Sequence, residues 1–84
     1  MNYALRILRR AQKELAALPR NDYERVRDAI SKLGDNPRPS GCKKLIDRNG
    51  WRIRVGNYRI IYEISDQEKF VTVLDLGHRN DIYS

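Results

Sequence analysis

The sequence predicts an α+β domain: an N-terminal strand, a two-helix antiparallel hairpin, then about four antiparallel strands, with the helices packed on the sheet. Three observations carry this. Apolar residues recur at helical spacing between Ala11 and Leu33, the pattern switches to period two after the loop Asp35 to Gly41, and "GWRIRVGNYRIIY" (Gly50 to Tyr62) folds back on itself at Gly56-Asn57. Residues 1–84 read as a single domain, with no repeat and no low-complexity tract.

Tyr3, Leu5 and Ile7 alternate with Ala4, Arg6 and Leu8, the mark of a strand with two unlike faces. Ala11, Leu15 and Leu18 then share one helical face, and Pro19 stops that helix. A second helix is predicted from Asn21, where Glu24 three residues on completes a capping-box pattern. Its apolar stripe is Tyr23, Val26, Ile30 and Leu33, closed by Gly34 as the expected cap glycine. The short link between the helices predicts antiparallel neighbours. "DNPRPSG" is a loop by composition. A short strand over 43–46, the hairpin, and "KFVTVLDL" (Lys69 to Leu76) complete the sheet, with "SDQEK" as a polar turn.

Glycine and asparagine suit the primed two-residue turns of hairpins. Centring the turn on Gly56-Asn57 pairs Val55 with Tyr58, Arg54 with Arg59, Ile53 with Ile60, Arg52 with Ile61 and Trp51 with Tyr62. Trp51, Ile53, Val55, Tyr58, Ile60 and Tyr62 then share one face, which reads as core packing. Arg52, Arg54 and Arg59 share the other. Like charges directly opposed destabilise a sheet, so this face calls for an anion.

The formal net charge is +6, from 17 basic and 11 acidic residues, which favours a polyanionic partner. From Arg38 to Arg59 there are seven basic residues (Arg38, Lys43, Lys44, Arg48, Arg52, Arg54 and Arg59) against the single acid Asp47. The helices carry mixed charge, so the positive field belongs to the sheet half. Lone Cys42 can form no internal disulfide, and no Cys/His spacing matches a metal site, so a reducing cytoplasm, no metal and no cofactor are expected. No apolar run approaches the ~20 residues that cross a membrane, so no membrane partner is expected.

The order "PSGCKKL … GWRIRVGNYRIIYEI … VLDLGHRNDIY" resembles the RelE branch of the RelE/ParE superfamily, small toxins of type II toxin–antitoxin pairs. Its most specific parts are "VGNYRIIYEI" (Val55 to Ile64) and "GHRNDIY" (Gly77 to Tyr83), and it spans nearly the whole chain. The resemblance implies an endoribonuclease that cuts mRNA in the ribosomal A site without metal. The 2′-hydroxyl attacks the adjacent phosphate, giving 2′,3′-cyclic phosphate and 5′-hydroxyl ends. It also implies a cognate antitoxin, with DNA met only indirectly through that partner. By motif, catalytic arginines fall on Arg59 and Arg79, the terminal tyrosine on Tyr83, and the basic pair on Arg52 and Arg54. Known relatives carry lysines at that pair. Arginine stays charged and can hold phosphate but cannot act as a base, so the proton acceptor is left open.

Each assignment has a plainer reading. Arg59 could pair with a carboxylate instead of stabilising a phosphorane, and Arg52 could pair diagonally with Glu63, whereas Arg54 is assigned to clamp a neighbouring phosphate. Tyr83 is a stacking platform, a base, or a frayed tail. His78, the only histidine, has the right pKa range for proton transfer but fits a structural or antitoxin-facing role as well. Lys43, Lys44 and Arg48 are expected to add a diffuse attraction for RNA, or to form a solvated edge. Two other functions stay open. A ParE-like DNA gyrase inhibitor shares the fold, although its members generally lack the Arg59/Arg79/Tyr83 arrangement. A non-catalytic ribosome- or RNA-binding module is the other.

Overall fold

The computed structural model describes residues 2–46 and 48–78. Strand β1 (Ala4–Ile7) leads into helices α1 (Arg9–Ala16) and α2 (Arg20–Leu33), followed by β2 (Lys43–Lys44), β3 (Trp51–Val55), β4 (Tyr58–Ser65) and β5 (Phe70–His78). The five strands lie in the order β1-β5-β4-β3-β2. All neighbours are antiparallel except β1 and β5, which run parallel with Ala4 opposite Phe70 and Ile7 opposite Val73. The sheet is therefore mixed at one edge. Alternation shows that a strand exists, but says nothing of which neighbour it pairs with or in which direction.

The hairpin forms in the expected register, from Val55 opposite Tyr58 to Trp51 opposite Tyr62. Gly56 adopts φ +59°, the left-handed conformation its turn position demands. Arg25 of α2 packs over this glycine: a Cβ there would lie 3.1 Å from Arg25 Nη2.

Two details of α2 differ from expectation. The helix starts at Arg20 with Pro19 as its N-cap and no side-chain cap, so Asn21 lies inside the first turn and the capping box does not form. Proline already presets the φ needed to enter a helix. At the other end Gly34 is the C-cap but has an ordinary φ of −66°. Glycine is needed there for closeness: β1 approaches so tightly that a Cβ would meet the Tyr3 carbonyl at 3.1 Å, and the Tyr3 N–H donates to the Gly34 carbonyl at 2.7 Å.

The core lies between the helices and one face of the sheet. Ala11, Leu15, Val26, Ile30 and Leu33 from the helices meet Ile53, Ile60, Tyr62, Val71, Val73 and Leu76 from the strands. Tyr62 is fully buried, and its hydroxyl donates to the Pro37 carbonyl at 2.7 Å, tying the proline-rich loop to the sheet. Burial holds the Tyr62 phenol well above its ordinary pKa, so it stays protonated.

Strand β5 contains a bulge. Ile61 faces Asp75 and Tyr62 faces Val73, which leaves Leu74 as an extra residue. Before the bulge Val71 and Val73 point to the core; after it Leu76 does, and Asp75 and Gly77 are turned to the opposite face.

Candidate functional site

The face of the sheet away from the helices gathers most of the predicted cations. Across the strands, Lys43, Arg52, Ile61 and Asp75 form one row, and Arg54, Arg59 and Gly77 form the next. Glu63 and Thr72 lie in a third row, continued by Arg6 of β1. Adjacent strands sit about 4.8 Å apart, and rows two residues apart are separated by about 6.7 Å. These are the dimensions on which a phosphodiester can touch several arginines at once.

Lys43, Arg52 and Arg54 line a depression of about 300 Å³ together with Ser40, Gly41 and Ile53. Arg54 is exposed and Arg52 half-buried. Among the described residues no carboxylate lies within 4 Å of Lys43, Arg52 or Arg54, so the diagonal pair between Arg52 and Glu63 does not form. Arg59 differs. It is only 5% exposed and already engaged in interactions of its own.

The remaining predicted residues divide. Lys44 pairs with Trp51 and so faces the helix side of the sheet, where its Nζ sits 5.8 Å from the indole centroid. Arg38 lies 5.1 Å over the same ring and grips Asp66 with both terminal nitrogens, at 3.2 and 2.9 Å. That chelate, with a 2.6 Å hydrogen bond from the Tyr3 hydroxyl, holds the Asp66 carboxyl down at about 2. Arg48 is exposed between β2 and β3. His78 is opposite Tyr58 on the helix side, with the two rings edge to face at 5.8 Å, and does not join the arginines. Tyr58 donates to Asp22 at 3.0 Å, and that bond raises its pKa, which leaves it a donor and no base. Arg79 and Tyr83 lie outside the described residues.

Sequence reasoning missed one group on the arginine face. Asp75 stands in the row of Arg52, and Arg10 of α1 reaches it with Nε at 3.1 Å from Oδ1. The signal was present in "VTVLDL", where the apolar phase shifts from Val71 and Val73 to Leu74 and Leu76. A phase shift inside a strand marks a bulge, and without one Asp75 would point to the core.

A family model described as the ParE toxin of type II toxin–antitoxin systems (parDE) matches residues 5–83. The chain belongs to this toxin family. The family's fold also recurs in solved RelE toxins. The RelE–RelB complex from Pyrococcus horikoshii superposes with a TM-score of 0.85 at 29% identity, covering 96% of this chain and 99% of that one. A RelBE complex from Mycobacterium tuberculosis gives 0.82 at 27%, covering 94% and 100%. The free Escherichia coli RelE toxin, as a double arginine-to-alanine mutant, gives 0.80 at 25%, covering 98% and 88%. No curated protein sequence matches the chain. This toxin-family member shares with those structures the two helices on an open sheet whose other face is basic here.

Proposed function

We propose that this toxin cleaves mRNA on the ribosome, through a metal-independent attack of the 2′-hydroxyl on the adjacent phosphate. The observation that carries the reading is the sheet face away from the helices, where Lys43, Arg52 and Arg54 line a depression with no carboxylate partner among the described residues. Such a reaction needs in-line geometry and neutralisation of charge building at phosphorus, and guanidinium groups supply both through forked hydrogen bonds. In this reading Arg54 clamps a phosphate from the exposed rim, and Arg52 and Lys43 hold its neighbour. Arg59, at the base of the same row as Arg54, stabilises the transition state. Arg79 and Tyr83 are assigned by motif alone, Arg79 to the phosphate or leaving oxygen and Tyr83 to the substrate base or proton transfer.

The relatives solved as RelB–RelE pairs support a protein antitoxin as partner for this chain. Charge complementarity predicts that the antitoxin brings acidic residues against the arginine face.

The test maps 5′ ends by primer extension on a translated mRNA, with and without ribosomes, for wild type, Arg54→Ala and Arg59→Ala. Cuts that require ribosomes and are strongly slowed in both folded variants support the reading. Absence of cuts from folded wild type would favour the gyrase-directed function that the family name carries, and a DNA gyrase supercoiling assay would then decide.

A further inference from the structure

Arginines hold phosphate but take no proton near neutrality, so a site built from them needs a separate base. Among the described residues of the arginine face, two side chains are carboxylates: Glu63 and Asp75. Glu63 is exposed in the row of Thr72 and Arg6, on the far side from Arg54 and Arg59. Asp75 is one row closer. It stands two strands from Arg52 across Ile61, and two residues along β5 from Gly77, the partner of Arg59.

We propose that Asp75 is the proton acceptor for the 2′-hydroxyl, with Arg10 as its positioning residue. The inference rests on the cleavage reading above. Three features of the geometry support it. The bulge at Leu74 is what turns Asp75 out of the core and onto this face, and bulges commonly re-aim a side chain beside an active site. Arg10 Nε lies 3.1 Å from Oδ1, and the Asp75 side chain keeps 24% of its exposure. A base oriented by a third group and still partly exposed is the arrangement nucleophile activation requires.

In the step, the 2′-oxygen forms its bond to phosphorus as its proton passes to Asp75 Oδ2. The bond from phosphorus to the 5′-oxygen breaks, that oxygen takes a proton from solvent, and Asp75 returns its own to solvent. Nothing is oxidised or reduced. Among the described residues, the charged groups in the rows about Asp75 are Arg10 from α1, Arg59 and Glu63 from β4, and Arg52 beyond Ile61 on β3, while Arg6 of β1 is turned onto the Phe70 ring.

The test is a single-turnover pH–rate profile of ribosome-dependent cleavage for wild type, Asp75→Asn, Asp75→Glu, Arg10→Gln and Tyr83→Phe, with ribosome binding measured alongside. Asp75→Asn is expected to bind ribosomes as wild type does, to lose about 100-fold or more in rate, and to lose the acid limb of the profile. Asp75→Glu should recover part of the rate. Arg10→Gln should lose under tenfold and keep the acid limb, because the carboxylate remains and only its orientation is loosened. A purely structural ion pair would make Asp75→Asn and Arg10→Gln lose equally with the acid limb kept in both, and that result overturns the proposal. So does a wild-type rate in Asp75→Asn, or an acid limb abolished by Tyr83→Phe alone. An inactive wild type would overturn the cleavage reading and this inference together.

Discussion

At Arg54 the side chain is exposed and meets no carboxylate among the described residues, so its removal should act on substrate and not on the fold. A charge-assisted hydrogen bond contributes about 1.5–3 kcal/mol, so Arg54→Ala should slow cleavage by roughly ten- to a hundredfold. Its melting temperature should match wild type, which thermal unfolding beside a cleavage assay would check. Asp66 has the opposite character. Its carboxyl, held at about 2 by Arg38 and then Tyr3, favours the folded state while it is ionised. That contribution is complete above the unfolded-state pKa near 4 and is lost as pH falls toward 2. Urea melts across this window should show wild type losing its advantage over Asp66→Asn, with the two curves converging at the acid end.

On the scale of elements, the proline-rich loop and the sheet are joined through the buried hydrogen bond from Tyr62 to the Pro37 carbonyl. Tyr62→Phe keeps the ring but strands that carbonyl in the core. The expected cost is about 1–3 kcal/mol in chemical denaturation, and a variant as stable as wild type would show that water can replace the bond. The bulge in β5 works on the same scale, because one extra residue decides which face every later side chain of the strand occupies. It sends Leu76 to the core and Asp75 to the arginines. The loop, the bulge and the helical hairpin thus act on the site indirectly, by filling one sheet face and sorting which side chains reach the other.

Across the whole molecule, charge is sorted by face. Arg38 and Lys44 are neighbours of the basic set in sequence, yet they pack over Trp51 on the helix side. The opposite sheet face keeps Lys43, Arg52, Arg54 and Arg59. If three or four of these neutralise single-stranded RNA phosphates, the logarithm of affinity should fall against the logarithm of salt with a slope of about −2 to −3. Titrating a short RNA at several ionic strengths would measure it. A slope near zero would mean the face does not hold phosphates.

Much of this was legible in the chain. The Gly56-Asn57 turn and the strict alternation around it settled the hairpin register, because a slip of one residue would expose Trp51, Ile53, Ile60 and Tyr62 and bury Arg52 and Arg54. The same alternation placed three arginines on one face, and the helical stripes named the buried residues Val26, Ile30 and Leu33. These are local matters, governed by backbone geometry and the period of apolar residues. Tertiary structure decided the rest. It set β1 parallel beside β5, buried Arg59, turned His78 to the helix side against Tyr58, and brought Arg10 to Asp75 across 65 positions of sequence. Each of these depends on which segments meet in space, and a periodicity confined to one segment carries no record of its neighbours.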